Sequence, residues 1–189
     1  MSANALLQRL ARRKAPRQSG RYGAPLSWAS FACVFFLSAM PLPALASEPH
    51  PAITAFNTWC FKAGQTETQA RANMNADSAP FTLTFWDDSL EPRPADAPRG
   101  VERRCEVAFE GDHTDTAITA LRAQMATPPV FGTPIPLPDT HAATPSTALI
   151  EGRELLRGRV AVVHVGTRND NTETFMAVDR LYAGLGLPN

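Results

Sequence analysis

Alternation of apolar and polar residues with a period of two predicts the strands of this chain. In residues 101–110, VERRCEVAFE, the side chains of Cys105, Val107 and Phe109 fall on one face and most charged side chains fall on the other. Residues 160–165, VAVVHV, are apolar on both faces, which is typical of a strand inside a sheet. The pattern predicts strands at residues 81–86, 101–110, 147–156, 159–167 and 174–178.

A first amphipathic helix is predicted for residues 51–63. Ile53, Phe56 and Cys60 are spaced so that they share one helical face. Pro51 at the start fits the first position of a helix, because its missing N–H group would have no partner there. The inward face of this helix therefore carries a cysteine.

Two further helices are predicted from their N-terminal signals. Thr66 and Gln69 have the spacing of a capping box, which indicates a helix over residues 66–76. Asp115 precedes an apolar-periodic run at residues 116–126, so it is predicted to be the N-cap of that helix.

The order of these elements predicts the fold class. Proline-rich connections at about residues 90–100 and 127–146 cannot be central strands. Arg157 and Gly158 are predicted to form a tight hairpin turn, and a short helix or tail is expected at residues 179–185. We therefore expect one α+β domain, with two or three helices packed on an antiparallel sheet of four or five strands and one disulfide.

Residues 1–46 have the pattern of a cleaved secretory signal peptide. A basic segment precedes an apolar run at residues 28–40, and Ala44 and Ala46 occupy the positions that a signal peptidase recognises. The alternative is an uncleaved membrane anchor, but the apolar run is shorter than the ~20 residues that span a bilayer. Cleavage after Ala46 would leave a periplasmic or secreted domain, residues 47–189, with no stable membrane span.

Removal of the signal peptide changes the charge of the chain. Six of the 18 basic residues and none of the 18 acidic residues lie before residue 47, which leaves 12 basic and 18 acidic residues. An acidic domain lacks the basic patch that nucleic acid requires, so nucleic acid is not an expected partner.

The same cleavage leaves two cysteines. Cys33 is removed with the signal peptide, and Cys60 and Cys105 remain. An even number of cysteines in an exported protein predicts a disulfide between them. The alternative is a reactive or metal-bound thiol, for which the sequence supplies no further ligands.

The segment from Asp112 to Asp115 concentrates groups that could bind a metal. Asp112, His113 and Asp115 would be its ligands, but no second cluster has metal-ligand spacing, so no metal site is predicted. If Asp112 forms a turn and Asp115 caps a helix, only His113 remains without a structural role. His164, within an apolar strand, is the second histidine that could act as a general base.

Arginines are concentrated around the predicted hairpin. Arg153, Arg157 and Arg159 lie close in sequence to Glu151 and Glu154. Cross-strand ion pairs on a solvated face account for this pattern. The alternative is a pocket in which these arginines bind a carboxylate or phosphate.

No motif identifies a catalytic nucleophile or a nucleotide-binding loop. The favoured hypothesis is therefore a non-catalytic exported protein, without a cofactor, that binds a protein or small ligand in the cell envelope. The alternative is a small exported hydrolase that uses His113 or His164 together with a carboxylate.

Overall fold

The computed structural model describes residues 48–128 and 131–186. The predicted signal peptide, residues 1–46, lies outside the described residues. No helix within the described ranges is long and apolar enough to cross a membrane. In chain order the elements are α1 (Pro51–Trp59), α2 (Glu67–Met74), β1 (Thr82–Asp87), β2 (Val101–Glu110), α3 (Thr114–Ala126), β3 (Thr133–Ile135), β4 (Thr147–Leu155), β5 (Arg159–Arg168) and β6 (Glu173–Leu181).

The strands form one antiparallel sheet in the order β1-β2-β6-β5-β4-β3. The predicted antiparallel sheet with helices packed on it is confirmed. The predicted count of four or five strands is wrong, because the described residues form six. The additional strand, β3, lies in the second proline-rich connection. It contains Pro134 and pairs only with β4, which is the sheet-edge position where a residue without an N–H group is tolerated.

Local signals explain where the first two helices begin and end. Pro51 occupies the start of α1, and Thr66 and Gln69 form the predicted capping box of α2. Helix α1 ends at Trp59, earlier than predicted. The side-chain amide of Gln65 donates to the carbonyls of Trp59 and Lys62, and so satisfies backbone acceptors where the helix stops.

Helix α3 begins at Thr114, two residues earlier than the predicted cap Asp115 would allow. Its N-cap is His113, and Asp115 lies in the first turn, so the prediction of Asp115 as the cap is wrong. The Asp112 carboxylate accepts from both the backbone N–H and the hydroxyl of Thr114. This local turn brings Thr114 into the first helical position.

The end of the chain also differs from the prediction. Strand β6 continues to Leu181, so the helix or tail expected at residues 179–185 is wrong for its first three residues. Asp179 and Arg180 stay in the strand, opposite Arg104 and Arg103 of β2, and make ionic contacts on either side of the sheet.

The helices pack on one face of the sheet. Phe56 of α1 and Leu121 of α3 are fully buried in the main core, against Val107 and Met176 of the sheet. The predicted disulfide joins Cys60 to Cys105, with the two Cα atoms 5.4 Å apart. It ties the end of α1 to a central strand, and such a bond is typical of an oxidising compartment.

The opposite face of the sheet is also partly covered. Trp86, Val101, Val160 and Leu181 form a second, smaller apolar cluster on that side. Residues of both proline-rich connections pack against it, Ala97 from the first and Ile135 from the second. Because helices lie on one face and proline-rich segments on the other, charged residues of the central strands are buried on both sides.

Candidate functional site

Two consecutive residues of β6 each contact buried charged side chains, on opposite faces of the sheet. Asp179 lies opposite Arg104 of β2, and Arg180 lies opposite Arg103. Successive side chains of a strand point to opposite faces, so one residue pair faces the helices and the other faces the proline-rich segments. The two resulting groups differ in how completely their charged side chains are paired with counter-charges and hydrogen-bond partners.

The aspartate cluster consists of Asp179, Arg104, His141 and His164. Arg104 donates to both carboxylate oxygens, over 2.7 Å from Nε to Oδ1 and 2.5 Å from Nη2 to Oδ2. His141 Nε2 lies 3.0 Å from Oδ2, and His164 Nε2 lies 3.6 Å from the same oxygen. The side chain of Asp179 is 0 % exposed, so these groups replace water as its partners.

A hydroxyl group extends the aspartate cluster. A carboxylate only accepts hydrogen bonds, so His141 Nε2 carries the proton that it donates to Asp179. When the ring is neutral, Nδ1 is therefore an acceptor, and Thr140 Oγ1, 2.9 Å away, can donate to it. Thr140, His141 and Asp179 thus form a hydroxyl–imidazole–carboxylate chain, the set of groups that nucleophilic hydrolysis uses.

The charges of the aspartate cluster compensate each other. Burial opposes ionisation of Asp179, but hydrogen bonds from Arg104 and His141 outweigh burial and hold its pKa well below its usual range. Burial also disfavours the Arg104 cation, yet its bonds to Asp179 leave the pKa of Arg104 raised. Because Arg104 already neutralises the carboxylate, the cluster is suited to holding the segment around His141 on the sheet.

On the helix-covered face, arginines occupy one row across the sheet. Arg103 of β2 is in register with Arg180 of β6, Arg180 with Ala161 of β5, and Ala161 with Arg153 of β4. Asp87 of β1 extends the row on the other side of Arg103. Like charges at neighbouring register positions repel each other unless counter-charges lie close by.

Arg103 is the least satisfied member of this row. Its side chain is 7 % exposed, and its Nη2 donates to the backbone carbonyls of Cys60 and Lys62. Its Nε is buried and has no hydrogen-bond partner among the described residues. The nearest carboxylate oxygen, Asp87 Oδ2, is 3.8 Å from Nε, beyond hydrogen-bond distance.

Arg180 has closer counter-charges than Arg103. Its Nη2 lies 2.8 Å from Asp87 Oδ1, and its Nε lies 3.1 Å from Glu102 Oε2, which also accepts from Arg159 over 2.7 Å. In this connected group of described residues, three arginines share two carboxylates. Burial lowers the pKa of Arg103 to about 10; the negative charge of Asp87 raises it in part, and the positive charge of Arg180 lowers it further. Arg103 therefore remains protonated at neutral pH. The group therefore carries one excess positive charge.

A cavity of about 100 Å³ lies beside these arginines. Arg103 and Arg180 line it, together with the aromatic rings of Phe61 and Phe131 and the side chain of Leu155. Its volume is well below the roughly 300–1,000 Å³ of a typical ligand pocket, and corresponds to about three water molecules at roughly 30 Å³ each. We call this cavity with Arg103 and Arg180 the arginine pocket.

Residues of α1 and α2, among them Thr54, Trp59 and Met74, line a groove of about 440 Å³. No arginine, lysine or histidine contributes to this lining, so the groove offers no cation for an anionic ligand. Among the residues that the structure describes, no group of three or more histidine, cysteine or acidic side chains could hold a metal ion.

The two histidines singled out from the sequence lie in different environments. His113 occupies the N-cap position of α3, and its ring stacks on that of Phe109 at a centroid distance of 5.6 Å and lies tilted against that of His50 at 5.3 Å. His164 belongs to the aspartate cluster, where its Nε2 is buried without a hydrogen-bond partner among the described residues. Of the two, only His164 is placed beside a buried carboxylate. His141, which makes the shorter contact to Asp179, was not among the predicted catalytic residues.

The three arginines singled out from the sequence do not converge on one point. Arg157 is exposed in the hairpin turn, where its φ is 65°. Arg153 pairs with Glu151 over 2.5 Å, and Arg159 pairs with Glu102. Arg153 is the β4 member of the arginine row, but the cavity itself is lined by Arg103 and Arg180, which were not predicted.

Comparison of the chain with protein-family models, with curated proteins and with solved structures finds no match. Function is therefore inferred from the side chains of the arginine pocket and the aspartate cluster.

Proposed function

We propose that this protein is an exported binding protein that holds a small anionic ligand in the arginine pocket. The proposal is carried by Arg103, a buried cation that lines the cavity and whose closest carboxylate oxygen among the described residues, Asp87 Oδ2, is 3.8 Å away. A buried polar group without a partner is costly, and a buried charge without full compensation is costlier. An anion in the cavity would supply the missing counter-charge.

The composition of the arginine pocket supports binding over catalysis. Two guanidinium groups and apolar side chains line the cavity, and neither kind of group acts as a nucleophile or general base at neutral pH. Export is supported by the Cys60–Cys105 disulfide, which suits an oxidising compartment, and by the predicted signal peptide at residues 1–46.

Isothermal titration calorimetry with sodium butyrate, at constant ionic strength set with a bulky anion, tests the proposal. The wild-type domain should bind one butyrate. Arg103→Met should weaken binding at least about tenfold, because a buried hydrogen bond to a charged group contributes about 1.5–3 kcal/mol. Ala63→Phe tests the same pocket without removing a charge, because exposed Ala63 contributes to its lining and a ring there would obstruct it.

Two variants serve as matched controls. Arg122→Met removes an exposed arginine of α3 that lies 3.7 Å from Glu151, and Ala123→Phe adds a ring to an exposed position of the same helix. Both should bind butyrate as the wild type does. If Arg103→Met and Ala63→Phe also bind as the wild type does, the pocket is not the binding site.

A second candidate function is a hydrolase whose nucleophile is Thr140, favoured by the hydrogen-bonded chain Thr140–His141–Asp179. The test is hydrolysis of p-nitrophenyl acetate by the purified domain. His141→Ala should abolish turnover if the chain is catalytic, while His113→Ala, which changes a histidine outside the aspartate cluster, should leave it unchanged. Equal background rates for all three proteins would eliminate the hydrolase.

A further inference from the structure

We infer that the ligand of the arginine pocket is a short-chain aliphatic monocarboxylate. This inference rests on the proposed binding function and adds the ligand class. It follows from three independent properties of the pocket: its charge, the shape of its donors and the character and volume of its walls.

The charge of the pocket matches a monoanion. Arg180 is paired with both Asp87 and Glu102, whereas the closest carboxylate oxygen to Arg103 among the described residues is 3.8 Å away, so Arg103 contributes an incompletely compensated positive charge to the pocket. One carboxylate would neutralise it. A phosphate carrying two charges would instead leave a net negative charge next to the buried Asp87, whose side chain is 1 % exposed.

The donors also favour a planar anion. A guanidinium group presents its N–H donors in one plane, which fits the two oxygens of a carboxylate. The rest of the pocket lining is apolar and includes Phe61, Phe131 and Leu155. The additional oxygens of a tetrahedral phosphate or sulfate would lie against these apolar walls without donors, whereas a hydrocarbon chain would be favourably buried there.

The volume limits the length of that chain. A cavity of about 100 Å³ accommodates a carboxylate with only a few carbon atoms. Each methylene that enters it should strengthen binding about fourfold, which corresponds to roughly 0.8 kcal/mol per buried methylene. Affinity should therefore rise about fifteenfold from acetate to butyrate, and should fall for octanoate, whose chain exceeds the cavity.

Calorimetric titration of the wild-type domain with acetate, butyrate, octanoate, phosphate and chloride tests this inference. Butyrate should bind most tightly of the five. If no anion binds, the proposed function itself fails. If phosphate or chloride binds as tightly as butyrate, the pocket binds anions but the inferred ligand class is wrong. If octanoate binds most tightly, the size limit is wrong and the inference fails with it.

A variant with a larger cavity provides a second test of the inferred ligand class. Phe131→Ala removes a partly buried ring from the wall without touching either arginine. Its optimum should shift from butyrate to a longer carboxylate, such as hexanoate, whereas Arg122→Met, which changes an exposed arginine outside the pocket, should keep the wild-type chain-length profile. An unchanged chain-length profile in a folded Phe131→Ala domain would contradict burial of the aliphatic chain in this cavity.

Discussion

Asp179 and Arg180 are neighbours in the same strand, yet they belong to two very different ionic environments. On the face of Asp179, one carboxylate accepts two hydrogen bonds from Arg104 and one from His141. On the face of Arg180, three arginines share two carboxylates, and Arg103 Nε has no hydrogen-bond partner among the described residues. The two groups differ in how completely their charges are paired.

This difference separates a structural role from a binding role. Breaking a buried, fully paired ion pair leaves an isolated charge, so such a pair is needed to keep the fold intact. A buried and incompletely paired cation beside a cavity lacks a counter-charge that a ligand can provide. We therefore expect mutations in the aspartate cluster to lower the stability of the fold, and mutations in the arginine pocket to weaken ligand binding.

The largest expected effect follows from the removal of the carboxylate charge of the aspartate cluster. Asp179→Asn should lower the free energy of unfolding by about 3 kcal/mol or more, because it leaves the Arg104 guanidinium, 18 % exposed, without its counter-charge. Urea denaturation measures this loss. Asp96→Asn, which changes an exposed aspartate in the first proline-rich connection, is the control and should be neutral. A loss below about 1 kcal/mol for Asp179→Asn would show that the cluster is not structural.

The next largest effect is expected from removal of the disulfide, which lies on the same face of the sheet as the arginine pocket. The double variant Cys60→Ala, Cys105→Ala should lose about 2–4 kcal/mol of stability, because the bond closes a loop with a sequence separation of 45. It should also weaken butyrate binding, since Cys60 lines the pocket and its carbonyl accepts from Arg103. Urea denaturation and calorimetry measure the two effects. Unchanged butyrate affinity in the folded variant would mean that the disulfide does not position the pocket.

The pH dependence of stability should distinguish the two environments further. Asp179 has a depressed pKa in the folded state, so its stabilising effect is fully present above its ordinary value of 3.8 and is lost as the pH falls below that value. The stability difference between wild type and Asp179→Asn should therefore be constant from pH 7 to about pH 5 and then decrease towards pH 2. A difference that grows on acidification would contradict a depressed pKa.

The smallest expected stability effect is that of Arg103→Met in the absence of a ligand. The substitution leaves the carbonyls of Cys60 and Lys62 without a donor, but it also removes a buried charge that is incompletely paired. These contributions oppose each other, so the free energy of unfolding should change by about 1 kcal/mol or less. Urea denaturation without added carboxylate measures it. A loss as large as that of Asp179→Asn would mean that Arg103 is primarily structural.

Much of the fold was predictable because local signals and tertiary packing agree. The alternation in residues 101–110 predicted strand β2, and the capping box at Thr66 and Gln69 predicted the start of α2. The disulfide followed from an even number of cysteines on inward faces. Strand β3 was missed because it consists of three residues, one of them proline, and its pairing with β4 is a tertiary interaction with no local pattern.

The candidate site was only partly predictable. Arg103 is two residues before Cys105, so the alternation already places it on the inward face of β2, and this was the signal for a buried arginine. The register that aligns Arg103 with Arg180 depends on pairing between β2 and β6, far apart in sequence. Contact between His141 and Asp179 likewise requires the path of a proline-rich segment across the sheet, which residue patterns do not determine.

The most direct test of the account observes both environments in one experiment. NMR of the arginine Nε–H groups in ¹⁵N-labelled protein, during titration with sodium butyrate, compares Arg103 with Arg104, its neighbour on the opposite face. Binding of butyrate should shift the Arg103 Nε–H resonance, while that of Arg104, already bonded to Asp179, stays in place. No shift at Arg103, or equal shifts at both arginines, would contradict a binding site in the arginine pocket.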